Sequence, residues 1–234
     1  MPFAARTAII LSTAAALARA PLAPLARAGP HSLPLLPSGE HLTLDAPGWV
    51  RGVGTGGRVW PAAAALCRFL ARTGAARGQR VLEVGCGTGA TGLACAAALN
   101  ASSVLLTEGG SDGLLQLARR NVETNRRHIH CEVEVARHAW GDAVDASWAP
   151  ELVVGSDVTY DRDGHDRLCA TLLALGAPAL LAHQHRRVAS FLSGESQLGH
   201  FLEAAERAGL DVDTVHADRA NELAPVSILR LTPR

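Results

Sequence analysis

The sequence predicts an α/β protein, a doubly wound, mostly parallel seven-stranded sheet with an antiparallel last strand and helices on both faces. Three observations predict it. Strand-like runs recur at Arg80–Val84, Ser103–Thr107, His130–Val135, Glu151–Gly155, Ala179–Ala182, Leu210–His216 and Val226–Leu231. Helix-like stretches lie between most of them, and strands alternating with helices build a parallel sheet covered on both faces. "RVLEVGCGTGATGLA", Arg80 to Ala94, runs from a buried-strand pattern through a tight glycine turn into a helix start, a Rossmann-like opening. Only "ADRANELAP" separates the last two runs, too short for a crossover helix, so they pair antiparallel.

Composition bounds the rest. A chain of 234 residues, 48% apolar, can bury a substantial core as one domain or as one domain with an added segment. Twenty-two basic residues balance twenty-two acidic ones, which gives no general attraction for nucleic acid or an anionic membrane. Every basic residue is Arg; with the abundance of Ala, this reads as a coding bias. Cys67, Cys86, Cys95, Cys131 and Cys169 are scattered, odd in number and without a CxxC pair, so neither a disulfide framework nor a zinc site is indicated.

In chain order, residues 1–30 form an Ala/Arg-rich extension with Arg6, Arg19 and Arg27 and no acidic residue before Glu40. Organelle transit peptides have this composition. A secretory signal is the rival, with Thr7 to Ala18 as its apolar region, but Pro21 follows the Ala18-Arg19-Ala20 site awkwardly. A plain Ala-rich extension is the third reading, and the apolar run is too short to span a bilayer. The expected location is the cytoplasm, or a chloroplast or mitochondrion if the extension is an address. Residues 31–234 then make the folded domain. "SLPLLPSGEHLTLDA" reads as a hairpin about Pro37-Ser38-Gly39. "GRVWPAAAALCRFLART" sets Val59, Ala63, Leu66 and Leu70 on one helical face, with Gly74 as the stop. Further helices are expected at Leu114–Asn125, Arg167–Leu175 and Leu198–Ala208.

The candidate site lies at the carboxyl edge of the sheet, where doubly wound folds bind ligands. Gly85, Gly87 and Gly89 let the backbone turn and a ligand approach, and the following helix N-terminus favours an anionic group. Their even spacing differs from the G-x-G-x-x-G dinucleotide fingerprint and also suits a plain tight turn. Glu108, about twenty residues past the loop, is placed to accept hydrogen bonds from two ribose hydroxyls. Trp140 in "HAWGD" sits where an indole stacks on a purine, or simply packs. "LVVGSDVTY" ends the fourth main run with Ser156, Asp157 and Tyr160 at the same edge.

The series "VWPAAAALCRFL", "VLEVGCGTGATGLACA", "LLTEG", "HAWGD" and "LVVGSDVTYD" resembles the class I S-adenosylmethionine-dependent methyltransferases, specifically methyltransferase family 16, many of whose members methylate protein lysines. The likeness covers about residues 50 to 230; the extension has no counterpart in it. The resemblance implies S-adenosylmethionine as cofactor, with Gly85, Cys86 and Gly87 along its methionine part and Glu83 opening the E-x-G-x-G-x-G loop. It places Glu108 on the ribose, Trp140 and the Ser156 backbone beside the adenosine, and Trp60 reaching in from the preceding helix. Asp157 and Tyr160 match the D-x-x-Y positions that face the acceptor. Cys86 stands where relatives often have Ala or Ser, as a small inert buried thiol. "AHQHRR" departs from the pattern, since His183 and His185 fall where relatives shape the acceptor channel, yet two histidines alone make no metal site.

The chemistry implied is transfer from an activated sulfonium to a neutral amine, without a metal, to a protein lysine, by a monomer. A free lysine has pKa near 10.4, so the site must favour its neutral form. A small-molecule or RNA acceptor is the runner-up. An NAD-dependent oxidoreductase and a cofactor-binding protein without transfer activity are the readings from other classes. Binding of S-adenosylhomocysteine against NAD separates the first, and labelling of a lysate separates the second.

Overall fold

The computed structural model describes residues 31–33, 41–48, 54–185, 197–218 and 225–234. The 1–30 extension and the Pro37-Ser38-Gly39 turn lie outside the described residues. The strands flanking that turn, β1 (His31–Leu33) and β2 (Leu42–Leu44), pair antiparallel, with His31 opposite Leu44.

The first helix, α1 (Pro61–Thr73), opens on Pro61, whose missing N–H costs nothing there, and ends at Gly74, whose left-handed φ of 67° lets its N–H reach the Leu70 carbonyl. The main domain then alternates: β3 (Arg80–Val84), α2 (Ala90–Ala97), β4 (Ser103–Glu108), α3 (Asp112–Thr124), β5 (Glu132–Arg137), β6 (Leu152–Ser156), α4 (His165–Leu175), β7 (Ala179–Gln184), α5 (Gln197–Ala208), β8 (Leu210–Asp218) and β9 (Val226–Pro233). The seven strands order β5-β4-β3-β6-β7-β9-β8. β9 runs antiparallel to both neighbours, as the short last connection requires. The strand expected from His130 starts at Glu132, because the His130 N–H is taken by the Ala96 carbonyl at the end of α2 before the chain meets β4.

Alternating side chains divide the core between the two faces of the sheet. Val81, Val104, Leu106, Val154, Leu180 and Ile228 face α1 and α2 through Leu66, Leu70, Leu93 and Ala94. Leu82, Val84, Val153, Leu181 and Leu229 face α4 and α5 through Leu168, Leu172 and Phe201. The chain leaves β3 toward β4 on one side and returns to β6 on the other, which opens a crevice at the carboxyl ends of these strands.

Two asparagines one helical turn apart fasten the N-terminal segment beside this crevice. Asn125, at the C-terminal cap of α3, accepts from the Thr43 N–H at 2.9 Å and donates to the Thr43 carbonyl at 2.8 Å. Asn121 repeats the pattern at Asp45, 2.8 and 3.1 Å, and also donates to the Thr88 carbonyl of the glycine loop at 2.9 Å. The side chains of α3 thus act as a partner strand for residues 43–45. Asn121→Ala leaves the Thr88 carbonyl unanswered in a buried place and the Asp45 N–H and carbonyl unanswered in a partly buried one. It is expected to lower the unfolding free energy by about 2–3 kcal/mol, read from urea denaturation.

Candidate active site

A cavity of about 410 Å³ opens at the carboxyl ends of β3, β4 and β6. Of the ten residues to which the resemblance gives a place in the site, nine line it, namely Trp60, Gly85, Cys86, Gly87, Glu108, Trp140, Ser156, Asp157 and Tyr160, whereas Gly89 of the loop does not. The loop after β3 forms the floor. Gly85 and Gly87 have φ of 59° and 53°, and a Cβ on Gly87 would lie 2.6 Å from the Gly56 carbonyl oxygen. Only glycine allows both the turn and the approach of segment 54–60, which roofs the cavity.

Glu108, the last residue of β4, is held by the floor itself. Its Oε2 accepts the Gly87 N–H at 2.9 Å and its Oε1 the Gly110 N–H at 2.8 Å. A carboxylate has about four acceptor positions, so two backbone bonds orient it and leave capacity for two hydroxyls in the cavity. The Trp140 ring packs between the glycine loop and the turn before α4, since Cβ atoms added at Gly85 and Gly164 would meet it at 3.0 and 3.2 Å. On the opposite wall the Trp60 Nε1–H donates to the Thr55 carbonyl at 3.2 Å, and the Arg58 guanidinium stands 6.0 Å from the Trp60 ring. The α1 helix that follows Trp60 is tied to β8 by the largely buried Arg68–Asp218 ion pair at 2.6 Å.

At the end of β6 the chain turns through Asp157, a non-glycine residue at φ 56°, whose N–H donates to the Ala182 carbonyl at 2.7 Å. Asp tolerates this left-handed region better than most residues. Asp157 is 5% exposed, whereas Tyr160 is 44% exposed at the rim. Burial drives the Cys86 thiol well above the ordinary cysteine range, which keeps it neutral and inert.

Residues 42–205 match the model of a family described as lysine methyltransferase. The chain belongs to this family.

Among its relatives is the protein-lysine N-methyltransferase EFM3 of Chaetomium thermophilum, 30% identical over 188 residues, which cover 74% of this chain and 54% of the relative. The protein N-lysine methyltransferase METTL21A of Danio rerio is 32% identical over 128 residues, 53% of this chain and 56% of the relative. The chain thus spans about half the length of these relatives. A solved structure, magnesium protoporphyrin IX methyltransferase of Synechocystis with bound SAH, matches 74% of this chain and 81% of its own at a TM-score of 0.54. At 13% identity, that likeness shows the fold: the Rossmann-like sheet of this family member is the methyltransferase architecture.

Glu83 is the exception among the ten site residues. It is 1% exposed, lies outside the cavity lining, and accepts the Gly92 N–H of the first turn of α2 at 2.8 Å. It fastens the glycine loop's helix to the sheet from behind. Burial pushes its carboxyl up to about 7, against the lowering pull of the Gly92 and Thr91 hydrogen bonds. Because the folded value exceeds the free one, folding favours the neutral form. The associated stability is full below about pH 4.5 and lost as pH rises through about 7. Glu83→Gln removes that loss: relative to the parent, its unfolding free energy should fall less between pH 5 and pH 8, by on the order of 2–3 kcal/mol in denaturant titrations.

His183 and His185 also lie outside the cavity lining. Among the lining residues that sequence reading missed are Gly54, Thr55, Gly56 and Arg58 of the roof and Ser111 and Leu114 near the start of α3. The glycine cluster in "GVGTGGRVW" is the signal that marked the roof. Among the described residues, no group of three His, Cys, Asp or Glu side chains is placed to hold a metal. Nor is any described helix long and apolar enough to cross a membrane.

Proposed function

We propose that this protein transfers a methyl group from S-adenosylmethionine to the ε-amino group of a lysine in a protein substrate. The carrying observation is the convergence on one cavity of the glycine loop, the Glu108 carboxylate and the Asp157–Tyr160 turn, in a chain of the lysine methyltransferase family. The residues fit the cofactor: the floor is open backbone where a Cβ would intrude, and the carboxylate beside it is oriented by two amides with acceptor capacity to spare.

Bound S-adenosylmethionine supplies a methyl group already activated on a sulfonium. Glu108 would hold the ribose hydroxyls, Gly85 to Gly87 the methionine part, and Trp140 with the Ser156 backbone the adenosine. Trp60 and the roof would close over it and exclude water. Asp157 and Tyr160 would receive the amine, orient its lone pair toward the methyl carbon and present an aromatic face to the lysine stem. The ammonium must shed its proton before attack, to water at the exposed rim beside Tyr160, and a partly desolvated site favours the neutral form that remains.

The test is a cell lysate supplied with tritiated S-adenosylmethionine and the purified protein. A labelled band carrying methyl-lysine by mass spectrometry supports the reading; label confined to RNA or small molecules overturns the lysine assignment. The sequence contains no lysine, so a methyl-lysine peptide found in the assay comes from a substrate rather than from this chain.

A further inference from the structure

Between Asp157 and Tyr160 the backbone is gripped from two sides. Thr159 is completely buried; its hydroxyl stands 2.7 Å from His183 Nδ1 on β7, and its carbonyl oxygen 3.1 Å from Nε2 of His165, the first residue of α4. A carbonyl only accepts, so the hydrogen of His165 sits on Nε2. The His165 Nδ1 lone pair then takes the Nδ1–H of His200 on α5 at 3.0 Å. Burial holds the His165 pKa below the ordinary imidazole value, in keeping with this neutral tautomer. Behind them, His183 meets His185 edge to face at 5.0 Å, and His185 Nε2 lies 2.8 Å from the Ser227 hydroxyl on β9.

We infer that His165 and His183 are positioning residues for the proposed transfer: by holding Thr159 at its carbonyl and its hydroxyl, they fix where Tyr160 stands at the cavity rim. The inference rests on the methyltransferase reading above. Its physical basis is the planar peptide. The Thr159 carbonyl oxygen shares a plane with the Tyr160 nitrogen and Cα, so fixing that oxygen fixes the point from which the Tyr160 side chain leaves the chain. The turn is already set at its start by the left-handed Asp157 and its bond to Ala182. Neither histidine lines the cavity, so both act through Thr159.

Tyr160 is the only tyrosine in the sequence. Protein made with ring-13C tyrosine therefore reports this ring alone by NMR. The parent, His165→Leu, His165→Gln and Thr159→Val are compared by this signal, by calorimetric binding of S-adenosylhomocysteine and by methyl transfer to lysate proteins. In His165→Leu and Thr159→Val the Tyr160 signal should move toward its unfolded position or broaden. Transfer should fall about tenfold or more, because small misplacements of a reacting group are costly, while homocysteine-cofactor affinity stays within about twofold. His165→Gln, whose amide donor reaches the same carbonyl, should restore both signal and rate. An unchanged Tyr160 signal and rate in His165→Leu and Thr159→Val overturns the inference, as does failure of the Gln variant to rescue. If His165→Leu does not fold, Thr159→Val, which removes only the hydroxyl contact, carries the test. A parent that binds no S-adenosylhomocysteine sinks the methyltransferase reading instead, and a parent that binds it while Tyr160 ignores the substitutions sinks only the positioning role.

Discussion

Glu108→Ala should weaken S-adenosylhomocysteine binding by about a hundredfold. Two charge-assisted hydrogen bonds to ribose hydroxyls, at about 1.5 kcal/mol each from the low end of their range, amount to about 3 kcal/mol. The substitution also releases the Gly87 and Gly110 N–H groups, so the floor loses the anchor that shapes it. Glu108→Gln is no gentle control. One carboxylate oxygen faces each N–H, and a glutamine must turn its own NH2 toward one of them, setting donor against donor. It should lose most of the affinity as well. Calorimetric titration decides the matter: a variant that binds as tightly as the parent places the ribose elsewhere.

The second large effect belongs to Asp157. Asn keeps the tolerance for φ 56° and the bond from the backbone N–H to Ala182 while exchanging one carboxyl oxygen for an NH2 donor, whereas Ala adds strain in the left-handed region of about 1 kcal/mol. Asp157→Asn should lower methyl transfer at saturating cofactor by about a hundredfold, and change S-adenosylhomocysteine affinity by no more than about threefold. The rate is read as tritium incorporated into lysate protein. Loss of affinity in proportion to rate would move Asp157 into the cofactor pocket; a parental rate would remove it from the reaction.

Much of this fold was legible because its signals are local. The pattern of Arg80–Val84 and the glycines after it announced a strand and its turn, and the brevity of "ADRANELAP" left β9 no direction but antiparallel. Most of the candidate site was legible for a related reason: in a doubly wound sheet every strand's carboxyl end arrives at one edge, so Glu108, Ser156 and Asp157 needed only their strands to be found. Glu83 entered with the E-x-G-x-G-x-G motif, and a motif says which residues are near the loop but not which face of the strand they occupy. Glu83 shares the alternation of Val81, and so points under α2 rather than into the crevice. The grip of His165 and His183 on Thr159 was invisible for a different cause: it joins residues 6 and 24 positions away through contacts that only the packing of α4 and β7 creates.

The roof over the cavity is made early in the chain and completed late. Residues 43 and 45 find their partners in Asn125 and Asn121, 82 and 76 positions downstream, and Gly56 rests on Gly87 and Leu114. On a ribosome, which delivers the chain from its N-terminus, residues 43 and 45 lack their side-chain partners until α3 and Asn125 have emerged. The β6 end and its Asp157 follow later still. A nascent chain halted before α3 therefore carries the whole glycine loop but neither the asparagines that hold residues 43 and 45 nor the strand end that brings Asp157 to the same edge.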